Sequence, residues 1–263
     1  NQQPATRNQV KPKIFPDHES MSQAAAAWLA QQIQQKPHTL LCLATGASPT
    51  RTYDLLAARH ESSPNLFRRL RVLKLDEWGG LAMDDPATSE QHLQQHLVRP
   101  LQLGRRYTGF KSDPADPPRE CKRVRNWLEH HGPIDICVLG LGTNGHLAFN
   151  EPAAFLQPQV HVARLSRTSL THSMVKDSPV RPRYGLTMGM ANILQARRVL
   201  LLVSGATKRP MLARLQTGQI TSRFPASFLW LHAQALIFCD RAACSGGRQP
   251  NGLDHSRRGQ RPR

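Results

Sequence analysis

His146 and Glu151 stand five positions apart in "GLGTNGHLAFNEP" (140–152), just past the apolar run "IDICVLG". Across a glycine-containing turn, a carboxylate at that spacing can orient an imidazole, the arrangement an acid–base histidine requires. A lone loop histidine is otherwise structural or merely exposed, and without a second His or Cys nearby a metal site is not indicated. Asn144 belongs to the same turn. "KLDEWGGL" (74–81) supplies adjacent Asp76 and Glu77 at the end of a strand-like run. Successive strand side chains point to opposite faces, so one of the two can serve a site as general base; the alternative is a solvated pair. In "ATGASPT" (44–50), Thr45, Gly46, Ala47 and Ser48 bridge a strand and a helix. Small residues there let backbone N–H groups approach an anion while the helix N-terminus favours its charge, although an ordinary capped turn has the same composition. The loop is neither a Walker A sequence nor G-x-G-x-x-G. In "LLLVSGATKRP", Lys208 opens a helix after a strand, where its ammonium can meet a phosphate; a surface lysine is the alternative.

These loops need a scaffold. "TLLCLA" (39–44), "RVLKLD" (71–76), "IDICVLGL" (134–141), "VHVARL" (160–165), "RRVLLLV" (197–203) and "ALIFCD" (235–240) read as strands, several continuously apolar, as strands covered on both faces are. Between them "SMSQAAAAWLAQQIQQ", "TRTYDLLAARH", "SEQHLQQHLVRPL", "PPRECKRVRNWLEHH", "LTMGMANILQA" and "ATKRPMLARLQ" carry helical spacing or start signals such as Ser20 and Ser89. The alternation predicts an α/β fold with a doubly wound, mostly parallel sheet and helices on both faces. Ligands of such sheets bind at the carboxyl ends of the strands, which is where all four loops fall.

A chain of 263 residues, 39% hydrophobic, can bury a full core. Gly and Pro do not cluster in mid-chain and no repeat is visible, so the expected organisation is an N-terminal extension (1–19), one domain (20–240) and a basic tail (241–263) expected to be disordered. Five cysteines without a C-x-x-C pair, three inside strand-like runs, read as free thiols of a reducing cytoplasm. No apolar stretch approaches the ~20 residues of a membrane span. The net charge of +17 suggests a nucleic-acid partner, but its distribution argues against one. The tail carries six arginines against one aspartate and residues 1–20 three cations against two anions, which leaves +11 spread thinly over 21–240. No basic block with interleaved aromatics occurs there, and a diffuse positive field suits a small anionic substrate.

In order, "ATGASP", "LDEWGGL", "LGTNGHLAFNEP", "GATK" and "FPASFLWLH" resemble the glucosamine-6-phosphate deaminase (isomerase) family, and the resemblance spans about residues 20 to 240. "FNEP" separates the chain from the 6-phosphogluconolactonases, which share the Gly-His turn; "LDEW" and "PASFLWLH" are most similar to the galactosamine-6-phosphate branch. The resemblance implies an aldose–ketose isomerisation of a sugar phosphate coupled to loss of ammonia. On it, Asp76 is the proton-transfer base, His146 the ring-opening acid–base, Glu151 its orienting partner, and Thr45, Gly46, Ala47, Ser48 and Lys208 the phosphate site. It implies no metal and no organic cofactor, since proton transfers next to a carbonyl need only positioned acids and bases. The implied partner is a small-molecule sugar phosphate, with no nucleic acid and no membrane; association into a homo-oligomer is left open. Two departures stand out: Asn144 replaces an active-site carboxylate, and Met174 falls where the family places a phosphate-binding arginine, with Lys176, Arg181 and Arg183 the nearby cations. Rival functions are a 6-phosphogluconolactonase-like hydrolase and a non-catalytic sugar-phosphate-binding protein.

Overall fold

The computed structural model describes residues 10–244. Its strands are β1 (Pro12–Phe15), β2 (Leu40–Leu43), β3 (Arg71–Lys74), β4 (Asp76–Gly79), β5 (Tyr107–Thr108), β6 (Ile136–Gly140), β7 (His161–Ala163), β8 (Tyr184–Thr187), β9 (Arg198–Val203) and β10 (Ala235–Asp240). The helices are α1 (His18–Gln35), α2 (Ala47–Ser62), α3 (Ser89–Leu93), α4 (Pro117–His131), α5 (Arg167–Leu170), α6 (Met190–Leu194) and α7 (Arg209–Leu215). Seven strands form one sheet in the order β1-β10-β9-β6-β2-β3-β5, every pair parallel. Its central strands alternate their contacts with a period of two. Leu40, Cys42, Cys137, Leu139, Val199 and Leu201 enter the core beneath α4, α6 and α7, whereas Leu41, Leu43, Ile136, Val138, Leu200 and Leu202 enter the core beneath α1 and α2. Both faces are therefore covered, which is why these strands carry no polar alternation.

The connection from β2 leads through α2 to β3 on one side, while β6, its other neighbour, leads onward to β9 in the opposite direction. The loops after β2 and β6 thus diverge and open a crevice at the carboxyl ends of the strands, the expected ligand position of a doubly wound sheet. A second, three-stranded antiparallel sheet, β4-β8-β7, stands beside it. Leu75 joins the two sheets: its N–H donates to Leu43 of β2, and its carbonyl accepts from Met188 after β8. The chain leaves the main sheet at that residue, so Asp76 emerges at the rim of the crevice.

Several expectations are corrected. "RVLKLD" is two strands divided at Leu75, and "VHVARL" pairs in the small sheet rather than the main one. The first residues of "LTMGMANILQA" belong to β8, with α6 starting only after Gly189. Pro12–Phe15, placed by the sequence in an N-terminal extension, is an edge strand paired with β10; its four residues are only partly covered and lack a buried run. Helix caps lie earlier than Ser20 and Ser89, because the side chains of Asp17 and Thr88 accept the free N–H groups of Ser20 and Gln91. The tail beyond residue 244 lies outside the described residues. No described helix is long and apolar enough to cross a membrane, and all five cysteines are free thiols, four of them buried.

Candidate active site

A cavity of about 520 Å³ occupies the crevice, lined by the loops after β2, β6 and β9, by Asp76 and Trp78 of β4, and by residues 168–176. Thr45, Gly46, Ala47, Ser48, Asp76, His146 and Lys208, 31 to 163 residues apart in sequence for the flanking pairs Thr45/Asp76 and Thr45/Lys208, all reach it. Asn144 and Glu151 do not line it and stand behind His146. Of the cations near Met174, Lys176 lines the cavity, but Arg181 and Arg183 are exposed elsewhere, Arg183 being paired with Asp113 at 3.6 Å.

The cradle after β2 is built by Gly46, whose φ of 103° is open chiefly to glycine and which caps α2 without a side chain. Ala47 and Ser48, the first residues of the 16-residue α2, line the cavity, and no side-chain cap occupies their N–H groups. Hydroxyls fix the loop: Ser48 Oγ lies 2.8 Å from Ser204 Oγ, Thr45 Oγ1 lies 3.1 Å from Ser89 Oγ, and Thr50 Oγ1 donates to the Gly46 carbonyl at 2.7 Å. Lys208 caps α7 from the loop after β9, half-buried, and burial lowers its pKa.

Asp76 is 8% exposed, and burial, reinforced by Glu77 and opposed by Lys74, pushes its carboxyl up to about 7. Glu77 faces the other way, as strand geometry requires. Fully buried, it accepts the N–H groups of Trp78 (2.7 Å), Ser89 (2.8 Å) and Glu90 (2.8 Å), plus Lys74 Nζ at 2.6 Å. Lys74 also reaches Glu90 at 2.6 Å, which accepts the Tyr107 hydroxyl at 2.7 Å. The buried ions thus tie β3, β4 and α3 together directly behind Asp76. The pair is not solvated, and its two members divide into one cavity-facing acid and one structural acid.

In the loop after β6, Gly142 N–H donates to the His146 carbonyl at 3.0 Å and folds the turn back on itself. The imidazole lies across Gly142: a Cβ there would sit 2.4 to 2.5 Å from ring atoms of His146. Nδ1 is 3.3 Å from Glu151 Oε2, within ion-pair range but poorly aligned for a straight hydrogen bond. Glu151 is itself fixed by Asn144 Nδ2 at 2.8 Å, by Ser166 N–H at 3.3 Å and by a short bond from Ser169 Oγ. Burial would raise the Glu151 pKa, but His146, Ser169 and Asn144 together hold it down at about 2, so it is an anion at any working pH. Asn144 Oδ1 meanwhile accepts the His146 N–H at 3.1 Å. Its amide therefore clamps both ends of the His–Glu pair. Gly142→Ala should displace the imidazole and lower turnover at least tenfold with little loss of thermal stability, a contrast readable from kcat beside a melting curve.

Three features escaped the sequence reading. His172 lies in a stretch of weak periodicity, and only the count of polar residues in "SRTSLTHSMVK" hints at a site wall. Trp78 and Phe149 form an apolar wall with ring centroids 4.5 Å apart. Lys74 announced itself only as a charge inside an otherwise apolar strand.

Comparison with known proteins agrees with this geometry. Residues 16–238 match the family model described as glucosamine-6-phosphate isomerases/6-phosphogluconolactonase. The provisionally named deaminase AgaI of Escherichia coli K12 is 40% identical over 82% of this chain and 86% of its own. A glucosamine-6-phosphate deaminase of Geobacillus sp. WCH70 is 34% identical over 87% and 92%. The solved structure of a monomeric glucosamine-6-phosphate deaminase of the NagB superfamily superposes with a TM-score of 0.84 at 34% identity, covering 89% of this chain and 98% of that one. A Trypanosoma brucei 6-phosphogluconolactonase shares the fold alone, with a TM-score of 0.70 at 20% identity. With its crevice, its cradle and its histidine turn in these places, the chain belongs to the glucosamine-6-phosphate isomerase/6-phosphogluconolactonase family.

Proposed function

We propose that the protein converts a 2-amino-2-deoxyhexose 6-phosphate, galactosamine 6-phosphate in preference to glucosamine 6-phosphate, into the ketose 6-phosphate and ammonia. The observation that carries this reading is the cavity itself, which joins a buried carboxylate, an imidazole and an anion cradle drawn from separate strand ends. The preference for the galactosamine epimer rests on "LDEW" and "PASFLWLH", and a reducing cytoplasm suits the free thiols.

The residues divide the work as follows. The cradle 45–48 and Lys208 hold the phosphate. His146 moves a proton between the anomeric hydroxyl and the ring oxygen to open the pyranose, with Glu151, 3.3 Å from its Nδ1, orienting the ring. Asp76 takes the C2 proton of the open-chain 2-ammonio aldehyde while an ammonium proton passes to O1, giving the neutral enolamine, and then returns its proton to C1, which leaves an iminium at C2. Water adds to C2 and the carbon–nitrogen bond breaks, so one water is consumed and one ammonia released. A carboxylate whose pKa lies near 7 suits this work, because about half of it is ionised at neutral pH and it is basic enough to hold a carbon-derived proton. Trp78 and Phe149 keep the reacting end apolar.

Assaying amino-sugar phosphate and 6-phosphogluconolactone side by side separates deaminase from lactonase: ammonia from the first and no accelerated hydrolysis of the second is the expected pattern. The reverse pattern would assign a lactonase. Asn144 is expected to be an adaptation rather than a lesion. Asn144→Asp removes the amide donor from Glu151 and sets a second carboxylate against it, which raises the pKa of that pair and slackens its hold on His146. A several-fold fall in kcat/KM with both epimers is expected; a several-fold gain would mark the asparagine as a defect.

A further inference from the structure

We infer that His172 is a phosphate ligand of this site, donating its Nε2–H to the substrate's phosphate opposite the cradle; the inference rests on the sugar-phosphate reading above. Three observations converge on it. The imidazole lines the cavity directly over the cradle: a Cβ placed on Gly46 would lie 3.4 Å from Cε1 and 3.5 Å from Nε2 of the ring. Its other nitrogen is committed, since Nδ1 accepts the N–H of Met174 at 3.3 Å. That bond fixes the neutral tautomer with the proton on Nε2, which has no protein acceptor among the described residues and turns its donor to the cavity.

The surrounding charges suit a neutral donor. Burial foremost, then Lys208 and His146, hold the His172 pKa down at about 4, so the neutral ring does not repel the Lys208 ammonium. Trp78 packs against it with ring centroids 5.9 Å apart and restrains its plane. Among the side chains around Met174, the other cavity-lining cation, Lys176, is exposed and lies 3.6 Å from Asp177. An oxygen of a phosphate seated on residues 45–48 therefore meets the backbone N–H groups of α2 on one side, Lys208 on another and His172 across the gap.

The test is calorimetric binding of glucitol 6-phosphate and of unphosphorylated glucitol to the full chain, in wild type, His172→Ala and His172→Gln. A donor to a charged oxygen contributes about ten- to hundredfold in affinity. The alanine variant should lose that factor for the phosphorylated sugar only, and glutamine, whose amide N–H falls near the position of Nε2, should recover most of it. In turnover the loss should appear in KM, with kcat changed less than threefold. Alanine and wild-type affinities within twofold of each other would overturn the role of His172 and leave the sugar-phosphate reading standing. Failure of the wild type itself to bind the phosphorylated sugar would remove the reading and the ligand together. Should the alanine variant not fold, the 15N signals of the wild-type imidazole report the same contact: a shift of Nε2 on adding inorganic phosphate supports it, and an unchanged Nε2 contradicts it.

Discussion

Asp76→Asn will lower ammonia release by about 10²–10⁴-fold, the range for a positioned acid–base group, whichever epimer is supplied. The same substitution should make the protein more stable at pH 8. Burial raises the Asp76 carboxyl from 3.8 to about 7 in the folded protein, so the native state binds a proton that the unfolded chain has already released. The sign follows from linkage: the wild type loses stability as pH rises from about 4 through about 7, whereas the amide has no proton to lose. The melting temperature of the variant should thus pull ahead of the wild type across that window, and the two should converge below pH 4. Activity of the wild type should move the opposite way, rising through pH 7 as Asp76 ionises. An acid limb of the pH–rate profile near 4 instead would mean that the base is not this buried carboxylate.

The second large effect concerns stability rather than chemistry. Lys74→Met leaves Glu77 and Glu90, both accepting from the same buried ammonium at 2.6 Å, facing one another without a cation. Removing one partner of a buried ion cluster typically costs about 3–5 kcal/mol, which for a domain of this size lowers Tm by on the order of 10 °C. The orphaned carboxylates would escape by protonation, so the deficit should be widest near neutral pH and narrow towards pH 5. Thermal melts at the two pH values measure it. A deficit under about 1 kcal/mol, typical of an exposed pair, would show that the cluster does not hold β4 in place.

The parts of this molecule that were legible in sequence are those where one physical signal acts alone. Helix α4 occupies Pro117–His131, the stretch its helical spacing marks in the sequence, with Asp116 capping it, Pro117 opening it and Gly132 following it. Strands β9 and β10 were read because burial on both faces leaves unbroken apolar runs. Edge strand β1 and the two residues of β5 offered no such run, and the leucine, threonine and methionines of "LTMGM" suit a strand and a helix equally. In the site, side chains borne by local turns were legible: the cradle, Asp76, the His–Glu turn and Lys208. Those placed by tertiary packing were not. Nothing within a few residues of His172 reveals that its ring will close over Gly46, 126 positions earlier. Asn144 was visible as a departure from the family, but its clamp on Glu151 depends on the fold of the whole turn.

The most direct measurement of the central claim is ammonia released by purified, folded protein at micromolar concentration from galactosamine 6-phosphate and glucosamine 6-phosphate, assayed in parallel with the ketose phosphate formed. One ammonia per ketose phosphate, with the higher kcat/KM for the galactosamine epimer and no added metal required, is the predicted result. No ammonia from either epimer, in a preparation that binds a hexose phosphate, would contradict the deaminase account and leave a sugar-phosphate-binding protein in its place.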